Sequence, residues 1–211
     1  MSQDFATPSP TLAAGTTHAG FTVERAEPLP EISGCAYVMR HDATGARVMW
    51  LACADSNKAF AISFKTPPAN DTGVFHILEH SVLCGSDRFP VKEPFVHLLK
   101  SSMQTFLNAL TFPDKTMYPV ASTNDRDLEN LMDIYLDAVL HPAIYRRQRI
   151  FEQEGWHYEV DASRADAPLT LNGVVYNEMK GALSTPEEIL INGMMRSLFG
   201  QSPYGFVSGG D

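Results

Sequence analysis

The spacing of apolar residues predicts strands in the first part of the chain. Phe60, Ile62 and Phe64 alternate with small residues, which is typical of a strand with one buried face. We expect strands over residues 46–54 and 59–65, joined by a turn.

After residue 70 the spacing becomes helical. Val74, Ile77 and Val82 predict a helix that begins at a cap in residues 70–72 and ends by Gly85. Further helices are predicted over residues 93–108, from a cap at 122–124 to a stop at 141–142, over 174–184, and from Thr185 to Gly200. Short strands are predicted over residues 117–121 and 156–160.

This order of elements indicates an α+β fold with no internal repeat. Residues 1–20 are rich in Ser, Thr, Pro, Ala and Gly, and predict a flexible leader before one domain over residues 21–211. Residues 202–211 are expected to form a Gly-rich loop that nothing docks, as in the N-terminal piece of a longer protein.

The composition of the chain argues against several classes of function. The 211 residues carry 16 basic and 25 acidic side chains and a net charge of −9, which argues against nucleic acid as a partner. No apolar run reaches the roughly 18 residues of a membrane span, so no membrane partner is expected. The N-terminus lacks the basic residues of a secretory signal or mitochondrial presequence, which predicts a cytoplasmic protein. Cys35, Cys53 and Cys84 have scattered spacing and predict reduced core thiols.

The strongest chemical signal is the H-x-x-E-H motif at His76–His80, within the first predicted helix. Residues four apart lie on one helix face, so His76 and His80 can point at the same metal with Glu79 beside them. Zinc in a hydrolase takes three protein ligands and leaves one position for water, whose proton a nearby carboxylate can accept. Two structural histidines on a helix face are the alternative.

The motif leaves the third metal ligand open. Glutamates on later helical segments are the candidates: Glu152, Glu154, Glu178, Glu187 and Glu188. The last two suit the first turn of a helix, and Glu152 and Glu154 are interpreted as exposed charges before a strand. Glu178 differs because it lies in a largely apolar stretch, where a carboxylate is costly unless it binds something.

Several longer segments carry a family resemblance. Residues 75–86, 112–122, 154–159 and 173–181 are similar to the presequence protease branch of the pitrilysin/insulinase metallopeptidases. The resemblance runs from about Phe21 to the last residue.

The resemblance implies roles for individual residues. His76, His80 and Glu178 would bind one zinc ion per chain, and Glu79 would be the general base. Asn108 would contact the main chain of the substrate. Leu171 stands where the pitrilysin and insulysin branches carry a further glutamate, which favours the presequence protease branch.

The resemblance also implies a fold and a substrate class. Its members have two halves of two similar α+β domains each, which close over a chamber that admits unfolded peptides. Peptide binds there as an added strand on a sheet edge. The second half supplies an arginine and a tyrosine, so this chain is expected to need a missing C-terminal half.

We therefore expect a zinc endopeptidase that hydrolyses unstructured peptides. The alternatives are a non-catalytic structural relative and an inactive truncated fragment. Manganese or cobalt could occupy the same ligands. His41, His97, His141 and His157 are interpreted as structural or exposed, Cys84 as an inert thiol rather than a redox sensor, and the basic cluster at residues 146–149 as a solvated helix face.

Overall fold

The computed structural model describes residues 10–91, 94–164 and 166–211, which divide into two units at Ser56 and Asn57. The first unit is one antiparallel sheet in the order β1 (Thr17–His18), β2 (Phe21–Leu29), β3 (Gly34–His41) and β4 (Arg47–Ala52). Its core contains Val23, Cys35, Tyr37 and Met39. The predicted strand over residues 46–54 is thus confirmed as β4.

Two expectations about this unit need correction. Part of the predicted flexible leader, Thr17–His18, forms a strand paired with β2, while residues 1–9 lie outside the described chain. Cys53 is exposed, unlike the buried thiol of Cys35, so the three cysteines are not all core residues.

The second unit contains a sheet in which β8 (Lys115–Ser122) is central. It pairs antiparallel with β5 (Lys58–Lys65) on one side and with β6 (Gln104–Leu107) and β7 (Leu110–Thr111) on the other. Because β4 belongs to the first sheet and β5 to the second, the two strands predicted on either side of residues 55–57 do not pair with each other.

Helices lie between and after the strands of this sheet in the chain. They are α1 (Val74–Val82), α2 (Pro94–Ser101), α3 (Asp125–Leu140), α4 (Gln148–Glu154), α5 (Val174–Ala182) and α6 (Pro186–Phe199). A small antiparallel pair, β9 (His157–Glu159) and β10 (Thr170–Asn172), lies between α4 and α5 in the sequence. None of the helices in the described ranges is long and apolar enough to cross a membrane.

Helix α3 covers the sheet and forms the main core with it. Leu131 and Tyr135 of this helix pack with Tyr118 and Val120 of β8 and with Leu107 of β6. The helix begins as predicted, because the Asn124 side chain accepts a hydrogen bond from the backbone N–H of Asp127. This packing holds β8 in place, and β8 pairs with β7, which borders the site described below.

The predicted helix over residues 93–108 is too long. Helix α2 ends at Ser101, where Ser101 and Ser102 donate hydroxyl hydrogen bonds to carbonyls one turn earlier. Residues 104–107 instead form β6, because the backbone of β8 offers them a hydrogen-bonding partner. Glu93 lies outside the described residues.

Candidate metal centre

Helix α1 presents the three residues of the motif on one side. His76 and Glu79 are buried, His80 is partly buried, and the two imidazole rings are 4.9 Å apart between centroids. The helix begins differently from the prediction: Gly73 is the N-cap, at φ +64°, and no side chain caps the helix. Glycine suits this position because a Cβ here would collide with the backbone of Gly209 and Gly210.

Glu178 comes from α5 and meets both histidines. Its Oε1 lies 3.7 Å from Nε2 of His76, and its Oε2 lies 3.5 Å from Nε2 of His80. All three possible ligand atoms lie within 4.8 Å of one another. The structure therefore brings together the two motif histidines and the glutamate that the sequence favoured as the third ligand.

The chemistry of this group fits zinc. Two imidazole nitrogens and one carboxylate oxygen are a donor set typical of catalytic zinc. Ligand atoms about 2.1 Å from a tetrahedral ion lie about 3.4 Å from one another. Each histidine Nε2 lies close to this separation from one oxygen of Glu178, His76 from Oε1 at 3.7 Å and His80 from Oε2 at 3.5 Å.

Glu178 is not buried, contrary to the expectation from its apolar sequence neighbours. The Glu178 side chain is 51 % exposed, whereas that of His76 is 11 % exposed. Val175 is the buried residue of α5, and the apolar Val174 and Met179 line the same cavity as Glu178. Glu178 is placed by the helix and not by the cost of burial.

Glu79 is held by a residue from the sheet. Its side chain is buried, and Oε2 accepts a hydrogen bond of 2.6 Å from the Thr111 hydroxyl of β7. Burial, and then the charge of Glu79, raise the pKa values of the Tyr118 and Tyr135 hydroxyls well above their usual range. These two phenols therefore stay neutral beside the carboxylate at physiological pH.

The two histidines have different partners at Nδ1. Nδ1 of His76 lies 3.1 Å from the backbone carbonyl of Gly209, and Nδ1 of His80 lies 3.4 Å from Oε2 of Glu154. Both rings therefore have an oxygen atom at Nδ1 and direct Nε2 toward Glu178. A metal-bound histidine needs such an acceptor on its other nitrogen.

Glu154 is buried, so its interpretation from the sequence as an exposed charge is wrong. Its side chain is 8 % exposed. Oε1 accepts hydrogen bonds from the Cys84 thiol, at 3.3 Å, and from the Gln153 amide, at 3.0 Å. Glu154 lies four residues after Ile150, which is partly buried, so helical spacing was the signal that could have identified it.

The Glu154 contacts shift two pKa values in opposite directions. The hydrogen bond to Glu154 raises the pKa of His80, against the effect of burial. Burial alone would raise the pKa of Glu154, but hydrogen bonds from His80 and Cys84 outweigh it and lower that pKa. Glu154 is therefore an ionised carboxylate at neutral pH.

The last residues of the chain are docked, contrary to the expectation for residues 202–211. Asp71 accepts hydrogen bonds from Val207 N, at its Oδ1, and from Asp211 N, at its backbone carbonyl. Arg196 of α6 pairs with the second Asp71 oxygen at 3.0 Å. These contacts place the Gly209 carbonyl against His76.

All five residues singled out from the sequence line one cavity of about 820 Å³: His76, Glu79, His80, Asn108 and Glu178. Asn108 and Ala109 lie in the interruption between β6 and β7, opposite Pro119 of β8. The Asn108 side chain accepts a hydrogen bond from Ala109 N. Thr111, Cys84 and Glu154 also line the cavity, and sequence reasoning assigned none of them to the site.

The four histidines interpreted as structural or exposed lie elsewhere. They are His41 in β3, His97 in α2, His141 at the end of α3 and His157 in β9. The described lining of the cavity contains none of them. Leu171 lies in β10, and its side chain lines a separate apolar cavity.

Fold and site together define an α+β domain with an inverted H-x-x-E-H motif and a distal glutamate. The sequence profile of Insulinase (Peptidase family M16) matches residues 65–189. The chain belongs to this family, as the resemblance implied.

Curated relatives agree with this assignment. Protein HypA of Clostridium perfringens is 54 % identical over 92 % of this chain and 20 % of its own length. Presequence protease 1 of Arabidopsis thaliana, described as chloroplastic/mitochondrial, is 50 % identical over 91 % of this chain and 18 % of its own length. The mitochondrial presequence protease of Mus musculus is 44 % identical over 91 % and 18 %. The chain thus spans about a fifth of the length of these relatives.

A solved structure shows the same fold. The crystal structure of pitrilysin matches with a TM-score of 0.60 at 19 % identity, over 84 % of this chain and 17 % of that chain. The predicted pitrilysin-like α+β fold is confirmed.

Proposed function

We propose that this chain is the zinc-binding catalytic part of an endopeptidase that hydrolyses unstructured peptides. The observation that carries the proposal is the convergence of His76, His80 and Glu178 beside the buried carboxylate of Glu79. Relatives named presequence proteases support a peptidase.

The proposed ligands are His76 and His80 through Nε2, and Glu178 through its carboxylate. Zinc bound there would polarise the carbonyl of the scissile peptide bond and acidify a water molecule. One ion per chain is expected. Manganese and cobalt accept the same ligands and are the alternatives.

Glu79 is the proposed general base. A carboxylate at this position can take the proton from the attacking water and deliver it to the leaving amine. Thr111 holds the carboxylate in one orientation through the 2.6 Å hydrogen bond. Orientation of a base by a fixed donor reduces the rearrangement needed when the proton moves.

The sheet edge beside the motif offers a position for peptide. Within the described residues β7 pairs with β8, and Ala109, Leu110 and Thr111 line the cavity. A peptide added as a strand would bind through its main chain, so that many sequences could bind. Asn108, at the start of this edge, is the proposed contact for the substrate main chain.

Catalysis by the whole protein is expected to need more than this chain. The chain covers about a fifth of its relatives, so we propose that a C-terminal half completes the chamber around the substrate. No role in binding nucleic acid or membranes is proposed. The cytoplasmic location stays a prediction, since the presequence proteases above are described as mitochondrial or chloroplastic.

Replacement of the base tests the proposal. Glu79→Gln should leave zinc bound and reduce cleavage of a quenched fluorescent peptide by at least about a hundredfold, since general bases contribute about 10²–10⁴. The assay requires a cleaving form of the enzyme, the chain alone or joined to its C-terminal half. Cleavage by Glu79→Gln at the wild-type rate would remove Glu79 as the base. Zinc binding without cleavage by any form would favour the non-catalytic relative.

A further inference from the structure

A neutral histidine that binds a metal through Nε2 carries its proton on Nδ1, and that proton needs an acceptor. For His80 the atom in that position is Oε2 of Glu154, at 3.4 Å. The Nε2 atom of the same ring faces Glu178 at 3.5 Å. Glu154 and Glu178 therefore lie on opposite sides of one imidazole.

The surroundings of Glu154 leave one oxygen for His80. Its other oxygen, Oε1, is taken by the Cys84 thiol and the Gln153 amide. A buried carboxylate is stable only when its oxygens receive hydrogen bonds. All three of these neighbours can donate, so the arrangement satisfies the carboxylate and fixes its direction.

The backbone around Glu154 is also fixed. A Cβ on Gly155, the next residue, would be tightly packed, 3.0 Å from the Phe151 carbonyl oxygen and 3.2 Å from the Ile77 side chain of α1. Gly173, at the start of α5, approaches Gly155 so closely that a Cβ there would collide with its carbonyl oxygen. Glu154 thus lies where the helices that carry His80 and Glu178 meet the end of α4.

We propose that Glu154 is a positioning residue for the metal centre: it holds His80 as the Nδ1-protonated tautomer with Nε2 directed at Glu178. This inference rests on the proposed metal site. In this proposal the Nδ1 atoms of the two histidines have different hydrogen-bond acceptors: the buried carboxylate of Glu154 for His80 and the neutral carbonyl of Gly209 for His76. A carboxylate makes the imidazole a stronger ligand than a carbonyl does.

The experiment compares Glu154→Ala and Glu154→Gln with a control, Glu152→Gln. Glu152 lies on the same helix, but its carboxylate accepts a hydrogen bond from Gln148 and does not line the cavity. Each 211-residue variant is titrated with zinc against a chelator of known affinity. We expect about 10–100-fold weaker binding for Glu154→Ala, the usual effect of losing such a partner. Glu154→Gln, which keeps an oxygen acceptor, should lie between Glu154→Ala and the wild type, and Glu152→Gln should match the wild type.

A second readout needs no metal. Ring ¹⁵N spectra of the metal-free chain at mildly alkaline pH should show His80 as the Nδ1–H tautomer. In Glu154→Ala the population should move toward Nε2–H, and Glu152→Gln should leave it unchanged. If Glu154→Ala does not fold, the zinc affinity of the nearly isosteric Glu154→Gln, expected to be lower than that of Glu152→Gln, tests the role of the carboxylate instead.

The outcomes separate the two proposals. Failure of the wild type to bind zinc would overturn the metal site, while the tautomer of His80 would still decide the role of Glu154. Zinc affinity in Glu154→Ala equal to that in Glu152→Gln, or an Nε2–H tautomer in the wild type, would overturn the positioning role.

Discussion

The Thr111 hydroxyl donates a hydrogen bond of 2.6 Å to Oε2 of Glu79, and so joins the edge strand of the sheet to the motif helix. Glu79 is 6 % exposed, and a buried carboxylate without its donor is costly. This contact connects the proposed substrate edge with the proposed base.

Thr111→Val should lower the free energy of unfolding by about 1–3 kcal/mol, because it leaves the buried carboxylate without this donor. Urea unfolding measures the change. Thr111→Ser keeps the hydroxyl, so its free energy of unfolding should fall much less. Equal unfolding free energies for Thr111→Val and the wild type would mean that this hydrogen bond contributes nothing to stability.

Asp71 does not line the cavity of the proposed metal ligands but docks the segment that carries Gly209. Asp71→Ala removes the acceptor of Val207 N and the partner of Arg196. We expect zinc affinity to fall about 2–10-fold, the equivalent of one hydrogen bond of about 0.5–1.5 kcal/mol, because the Gly209 carbonyl would no longer be held against His76. Zinc titration measures the effect.

The control for Asp71 is Asp71→Asn, which keeps an oxygen for Val207 N. Its zinc affinity should lie between those of the wild type and Asp71→Ala. Faster amide exchange at Val207 and Asp211 in Asp71→Ala, with zinc affinity unchanged, would show that docking of this segment does not support His76.

The lowered pKa of Asp137 predicts that the stability of the fold depends on pH. Burial would raise its pKa, but hydrogen bonds from the Ser86 hydroxyl and Arg88 N lower it below the ordinary value of 3.8. A lowered carboxyl pKa in the folded state adds stability above the unfolded pKa, and this stability is lost as pH falls through the folded pKa. Asp137→Asn should therefore be less stable than the wild type by about 1–3 kcal/mol near neutral pH, with the difference shrinking below about pH 4.

Denaturant unfolding at several pH values measures this convergence. Asp133→Asn is the matched control: Asp133 lies on the same helix, and its ion pair with Arg88 is exposed, so little change in the free energy of unfolding is expected. A difference between the wild type and Asp137→Asn that stays constant down to pH 3 would contradict the lowered pKa.

Local sequence patterns correctly predicted those helices that depend only on their own residues. Helix α1 follows from the spacing of Val74, Ile77 and Val82, and α3 from a cap at Asn124. The His76 and His80 pair follows from the geometry of one helical turn. These features need no information about distant parts of the chain.

Features that depend on distant partners were missed. Residues 104–107 form a strand because β8 lies beside them, and Glu154 is buried because His80 and Cys84 meet it 70 or more residues away in sequence. The docking of residues 207–211 depends on Asp71, more than 130 residues earlier. Glu178 was predicted to be the third metal ligand because it was expected to be buried, but the structure shows it half exposed. The family resemblance indicated the same residue independently.

Zinc content tests the central claim most directly. The purified 211-residue chain is analysed for metal beside Glu178→Gln and a control, Glu187→Gln, which removes an exposed acid from the first turn of α6. One zinc per chain in the wild type and in Glu187→Gln, with affinity at least about tenfold weaker in Glu178→Gln, is the predicted result. No zinc in the wild type, or equal affinity in all three proteins, would contradict a metal centre formed by His76, His80 and Glu178.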